Sequence, residues 1–171
     1  RQSSLSGWAA MWDGAELAVS IRGVALAMNE PAGVIGIVAP DEAPLLGFVT
    51  LVGAAIALGN TVVAVPSEPF PLAATDLAQV LETSDVPAGV VNIVTGRHGD
   101  LADTLARHLD VDAVWCFSST HLSGLVERLA AGNLKRTWVN HGRATDWAGF
   151  DLTAALREAT EVKTVWVPWG E

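Results

Sequence analysis

From residue 33 onward, short continuous apolar runs alternate with longer stretches of helical periodicity. That alternation predicts βαβ units and a parallel sheet. Gly33–Ala39 is apolar throughout, as a strand covered on both faces requires. Pro44 suits the first turn of a helix over 45–58, and Gly59-Asn60 suits its end. Thr61–Val65 predicts the next strand, closed by Pro66. Leu72, Leu77, Val80 and Leu81 form one stripe of a helix over 72–83. Val90–Val94 predicts a third strand, stopped by Gly96, and 100–109 a short helix. Ala113–Phe117 reads as a fourth strand, and Ser119 or Thr120 caps a helix running to about Ala131. Thr137–Val139 is a candidate fifth strand. The pattern weakens after Gly142, then gives a modest helix over 151–158 and a terminal strand over Val162–Val167.

The chain ahead of Glu30 is patterned differently. Gly7–Gly14 reads as a helix end, and Leu17–Met28 as an extended hairpin or edge segment. A two-stranded hairpin is marginal alone and needs a partner to cover it. The terminal strand has the same need, because both of its alternating sets, Val162, Thr164, Trp166 and Lys163, Val165, Val167, are apolar apart from Lys163. Two expectations follow. Either both elements join a sheet with another chain or unit, or the terminal strand closes the edge of the parallel sheet.

Composition narrows the function. At 171 residues the chain can bury one sizeable core, and 50% apolar residues mark it as globular. A net charge of −9 argues against nucleic acid, which needs clustered Lys and Arg. The apolar run Leu45–Leu58 falls short of the ~20 residues of a membrane span. No signal-peptide pattern is read, and a start at Arg1 without Met suggests an excised domain or processed piece. One cysteine, Cys116, excludes an internal disulfide and fits a reducing, cytoplasmic setting. It falls on a predicted buried strand, where a thiol is an inert packing group. His98, His108, His121 and His141 show no ligand spacing with Cys116 or one another, so no metal site is expected.

Three segments carry chemistry by their order and spacing: Pro-Ala-Gly-Val-Ile-Gly-Ile-Val-Ala-Pro at 31–40, Gly-Asn-Thr-Val-Val-Ala-Val-Pro-Ser-Glu at 59–68, and Pro-Ala-Gly-Val-Val-Asn-Ile-Val-Thr-Gly at 87–96. Together they resemble the cofactor half of aldehyde dehydrogenases. The resemblance implies an α/β, Rossmann-like parallel sheet flanked by helices over 31–142. Around it come an oligomerisation-type hairpin over 1–30, a short connection over 143–160 in place of the catalytic domain, and a C-terminal oligomerisation-type strand over 161–171. It further implies a scheme in which a Cys thiolate attacks the aldehyde, NAD takes the hydride, a Glu base activates water, and an Asn amide holds the oxyanion.

Position by position, that chemistry is altered. Where the family reads Pro-Trp-Asn-Phe-Pro, this chain has Pro40-Asp41-Glu42-Ala43-Pro44, so Glu42 stands in the place of the oxyanion-holding Asn. A carboxylate has no N–H to donate, although both acids suit a helix start. Val65 replaces the Lys that reaches the ribose, while Ser67 and Glu68 remain; Glu68 is either a ribose ligand or a surface loop residue. His98 stands where the family often has a glycine near the adenine, either stacking there or lying exposed in a loop. Cys116-Phe117-Ser118-Ser119-Thr120 replaces Phe-Thr-Gly-Ser-Thr, keeping Ser119 at a helix start that faces the pyrophosphate or is simply capped. Val139-Asn140-His141-Gly142-Arg143 replaces the motif with the Glu base, and the amide of Asn140 takes up no proton. On a strand, His141 would point away from Asn140.

Pro40, Ser67, Glu68 and Ser119 are therefore the candidate, degenerate cofactor residues, with no catalytic residue assigned. The chain resembles the truncated, non-catalytic C-terminal domain of a family-16 aldehyde dehydrogenase. Gly132-Asn133-Leu134-Lys135 and Trp138-Val139-Asn140 support that subfamily. This implies a structural and oligomerisation role beside an NAD-dependent dehydrogenase unit of the same protein, with a homodimer expected and NAD held by the parent enzyme instead of this segment. The alternatives are an NAD-binding regulatory module, or the cofactor half of an active enzyme whose catalytic domain lies on another segment.

Overall fold

The computed structural model describes residues 14–17 and 23–168. In chain order the elements are β1 (Ala15–Leu17), β2 (Gly23–Pro31), β3 (Val34–Val38), α1 (Leu46–Ala57), β4 (Thr61–Val65), α2 (Leu72–Glu82) and β5 (Val91–Ile93). They are followed by α3 (His98–Arg107), β6 (Ala113–Cys116), α4 (Thr120–Ala130), a 3₁₀ turn at Ala131–Asn133, β7 (Arg136–Val139), α5 (Leu152–Glu158) and β8 (Thr160–Pro168). The helix end expected over Gly7–Gly14 falls almost wholly outside the described residues.

Five strands form a parallel sheet in the order β5-β4-β3-β6-β7. The connection leaves β3 for β4 and β5 on one side, then returns past β3 to β6 and β7. The order therefore reverses beside β3, and the carboxyl ends of β3 and β6 border the crevice where such sheets hold ligands. The continuous apolar runs have the reason expected of them. Ile35, Ile37, Val62, Ala64 and Trp115 pack with Phe48 and Leu51 of α1 on one face. Val38, Val65, Val114 and Cys116 pack with Ala102 and Leu105 of α3 and Val126 of α4 on the other. Gly36 marks the closest approach of a helix, since a Cβ there would lie 3.1 Å from Leu105 Cδ2.

The helix ends follow their sequence signals, with one exception. Helix α1 stops at Gly59, whose φ of +86° is left-handed; Gly59 N–H bonds Ile56 O and Asn60 N–H bonds Ala55 O. Ser119 caps α4 by accepting from Leu122 N–H, and Asp151 caps α5 by accepting from Thr153 N–H. The exception is α3, expected over 100–109, which begins at His98 instead. The orphan N–H of its first residue is satisfied from a different loop: Glu68 Oε2 accepts from His98 N–H at 2.7 Å.

The terminal strand does not close the edge of the parallel sheet. Along its whole length β8 pairs antiparallel with β2 of the same chain, from Gly23↔Pro168 to Pro31↔Thr160. With β1 on the far side of β2, it forms a three-stranded sheet separate from the parallel one. Lys163 Nζ lies 2.8 Å from Glu30 Oε1 across the pair. A buried amide fastens this ribbon to the parallel sheet. Asn60, 1% exposed, accepts from Gly33 N–H and donates to Ala55 O and Ala159 O, each at 2.9 Å. Ala32 N–H also bonds Ala159 O, and Arg136 donates to Thr160 O.

The segment after Gly142, where the sequence pattern weakens, carries Trp147 and Phe150 into the core. Their rings stack at 5.1 Å and 14° and meet Phe117, which in turn meets Trp138 edge-on at 4.8 Å. Among the described residues no helix is long and apolar enough to cross a membrane.

Candidate functional site

Beyond the carboxyl ends of β3, β6 and β7 lies a cleft of about 390 Å³ lined by Asp41, Glu42, Ser118, Ser119, Asn140, Gly142, Arg143 and Ala144. It sits at the reversal of strand order, where a ligand crevice belongs. The loops after these strands bring together Glu42, Ser119 and Asn140, three positions that the sequence singled out. Ser67 and Glu68 follow β4 and reach the same rim through Asp41. Asp41 Oδ1 accepts from Ser67 Oγ at 2.7 Å and from Glu68 N–H at 3.1 Å.

The Asn140, Glu42 and Ser119 side chains of this cleft bond to the protein's own chain. Asn140 Oδ1 accepts from Gly142 N–H, and its amide donates to Arg143 O. Glu42 Oε1 accepts from the Trp147 indole N–H at 3.3 Å. Ser119 Oγ is taken by its capping bond at 3.2 Å. The turn after β7 covers the start of α4: Thr120 Oγ1 donates to His141 O at 2.7 Å, and a Cβ on Gly142 would lie 3.1 Å from Thr120 N. A phosphate approaching that helix N-terminus meets backbone already in place. Pro40 is buried; a Cβ added to Gly47 would run into Pro40 Cγ, so the ring acts as packing for α1.

Two histidines correct their sequence readings. His98 is no exposed loop residue: it is 3% exposed, and its Nε2 lies 2.7 Å from Pro66 O. His141 is not on a strand, because β7 ends at Val139; it lies in the turn with φ of +52°, its N–H on Ser123 Oγ and its ring 3.4 Å from Glu127. Glu68 is exposed, as a loop residue would be, yet one of its oxygens is committed to His98 N–H.

No nucleophile faces the cleft from β6. Cys116 is fully buried, and burial pushes its thiol up to about 12 against the smaller lowering effect of a hydrogen bond from the Ser118 backbone. At neutral pH it is a protonated packing group. Among the described residues no group of three or more His, Cys, Asp or Glu side chains is placed to hold a metal ion.

Sequence reasoning missed Asp41 as the hub joining two loops and Trp147 as the partner of Glu42. For Asp41 the signal available was its position three residues beyond β3; for Trp147 there was none beyond its being aromatic.

Fold and motifs agree with known proteins. The model of the aldehyde dehydrogenase family matches residues 3–162. A cytosolic aldehyde dehydrogenase 1 of Elephantulus edwardii is 33% identical over 158 residues, covering 90% of this chain and 32% of that protein. The 2-hydroxymuconic semialdehyde dehydrogenase of Pseudomonas putida is 41% identical over 116 residues, covering 67% of this chain and 24% of its own. Among solved structures, an apo indole-3-acetaldehyde dehydrogenase superposes with a TM-score of 0.76 at 34% identity, covering 83% of this chain and 33% of its own. PnpE in complex with nicotinamide adenine dinucleotide gives 0.75 at 30%, covering 80% and 28%. The chain thus spans about a third or less of the length of the proteins it matches. With the parallel sheet, the reversed strand order and the three quoted motifs all in place, this chain belongs to the aldehyde dehydrogenase family.

Proposed function

We propose that this chain is a non-catalytic aldehyde-dehydrogenase-like module with a structural role, of the kind found as the truncated C-terminal domain of family-16 enzymes. In this reading NAD serves a dehydrogenase unit of the same protein. The residues here do not fit the dinucleotide: Val65 offers no hydrogen bond, the α4 N-terminus lies under the turn at Gly142, and His98 fills space at the end of β4. No thiolate lines the cleft, Asn140 stands in place of the Glu base, and the Glu42 carboxylate is held by the Trp147 indole N–H.

One observation carries the positive half of the proposal. Both faces of the β2–β8 pair carry exposed apolar side chains, with Val162 65%, Trp166 51% and Val167 53% exposed, and Met28 46%. The outer edge of β8 has no strand partner among the described residues. Such a ribbon, left bare, is an aggregation edge; covered, it is an interface. Its partner is the dehydrogenase unit, or a second copy in a homodimer.

Light scattering on the intact protein and on the double variant Val162→Lys, Trp166→Glu tests this. The expected result is a lower associated mass, or a freed dehydrogenase unit, with an unchanged circular dichroism spectrum. An unchanged mass in the folded double variant overturns the association role.

A further inference from the structure

Strand β5 forms one edge of the parallel sheet, and among the described residues no strand pairs with its outer side. Val62 N–H bonds Val90 O and Val94 N–H bonds Ala64 O, so the even-numbered residues of this stretch face β4. In a parallel ladder successive residues bond to opposite sides, which turns the N–H and C=O of Val91 and Ile93 outward. The side chains alternate as well. Val91 and Ile93 line a cleft of about 420 Å³ together with Ala78, Leu81 and Glu82 of α2 and the 86–89 loop. On the other face Val94 borders a groove of about 310 Å³ with Val63 and Val65 of β4 and Leu101 and Leu105 of α3. An unpaired edge with a pocket for side chains on each face is the form that accepts an added strand.

Charge around the first cleft selects the kind of strand. Glu82 stands in the last turn of α2, where the helix dipole disfavours an acid, and no basic residue in that turn offsets it. Asp85 follows three residues on, and the chain has no Lys or Arg from 23 to 96. No Lys or Arg lines either cleft. An acid so placed works against its own helix and is complementary to a cation arriving from outside. The apolar floor suits the stem of a Lys or Arg side chain whose head meets Glu82.

We propose that β5 is an acceptor edge for an extended, basic segment of a partner protein. The segment's backbone pairs with Val91 and Ile93, a Lys or Arg enters the cleft beside Glu82, and a neighbouring apolar side chain covers the groove at Val94. This edge belongs to a different sheet from the β2–β8 ribbon, so the proposal does not depend on the association role. The cleft also opens beside the 86–89 loop, at the amino end of β5, whereas Glu42 and Asn140 lie beyond the carboxyl ends of their strands.

Calorimetric titration and amide hydrogen exchange on the intact protein test this, with the peptide acetyl-Val-Lys-Val-Lys-Val-amide as probe and its counterpart bearing Glu in place of Lys as control. The basic peptide is expected to bind saturably and more weakly as salt rises. It should also slow exchange of the Val91 and Ile93 amide protons, which exchange fast in the free protein. The acidic peptide is expected to bind at least about tenfold more weakly. Glu82→Lys, an exposed change at the end of α2, should lower affinity for the basic peptide about tenfold without lowering the unfolding midpoint. Ile93→Pro removes an outward donor that the ladder to β4 does not use, and should weaken binding of the basic peptide as well. Should the proline variant not fold, the Glu82 variant and the two amide protons still decide. Equal affinity for the two peptides overturns the proposal, as does binding that leaves exchange at Val91 and Ile93 unchanged, or no saturable binding at millimolar peptide. Protection of the same two amides by self-association, without peptide, overturns it too and makes a second copy the occupant.

Discussion

The parallel sheet and the β1-β2-β8 ribbon are built from equally apolar strands, yet they meet opposite surroundings. In β3 the last four residues are buried, and all four residues of β6 are buried. In β8 only Thr160 is buried, and seven of its nine residues are exposed. The parallel strands find their cover in α1, α3 and α4 of their own chain. Among the described residues β8 of the ribbon has a strand partner on one edge only. An apolar strand therefore states that it must be covered, and leaves open by whom. Where the cover lies has to be read from which helices are left for it, and α1, α3 and α4 are spent on the parallel sheet.

Substitutions sharpen that contrast by asking which region the folded state depends on. The largest effect is expected from Trp115→Ala, which empties a fully enclosed site against Trp138, 5.0 Å away edge-on. Denaturant unfolding should register a loss of about 3–5 kcal/mol; a loss below about 1 kcal/mol would mean that the sheet is less closed than described. Asn60→Ala comes next. It strips three partners, Gly33 N–H, Ala55 O and Ala159 O, at the seam between the two regions. A loss of about 1–3 kcal/mol is expected, the size of leaving Gly33 N–H bare, because Ala55 O keeps the Asn60 N–H and Ala159 O keeps the Ala32 N–H. If the variant matches the intact protein, water or another side chain substitutes for the amide.

Alkaline pH gives a third test, confined to the parallel sheet. Burial raises the Cys116 thiol from 9.0 to about 12, so the folded chain keeps a proton that the unfolded chain releases. The stabilisation is complete below pH 9 and is lost as pH rises from there towards 12, by about 1.4 kcal/mol per unit. Stability curves of the intact protein and Cys116→Ala should diverge in slope only above pH 9. Parallel slopes there would show that the thiol is not enclosed. The smallest effect is expected from Trp166→Ala on the ribbon, within about 0.5 kcal/mol for unfolding of the single chain. A loss several times larger would show that the ribbon is covered within its own chain, and the contrast would fail.

The elements of the parallel sheet were legible almost to the residue because two-sided burial writes itself as uninterrupted Val, Ile and Ala. Thr61–Val65 and the Gly59 stop are read directly. The start of α3 was not, since the group that satisfies His98 N–H is Glu68, thirty positions earlier and in another loop. The pairing of β8 with β2 left a single written clue, the opposed charges of Glu30 and Lys163. Trp147 and Phe150 have no periodicity to announce them; two rings three residues apart in a loop become core only through Phe117 and Trp138. In the cleft the residue types were legible and their commitments were not. Asn140 and Ser119 look available in sequence, and turn out to be bonded to the turn and the helix beside them.

The Asn60 amide has a mechanical consequence. Strand β2 leaves for β3 through Ala32 and Gly33, and β8 arrives from α5 through Ala159; hydrogen bonds from Asn60 and Ala32 grip both strands at that root. A hinge needs a few residues free to change their dihedrals, and here the root residues on both strands are tied to the end of α1. The ribbon is expected to move with the parallel sheet as one rigid body. Docking it then sacrifices little conformational freedom, so the affinity of the contact is set by shape and apolar area and loses little to ordering.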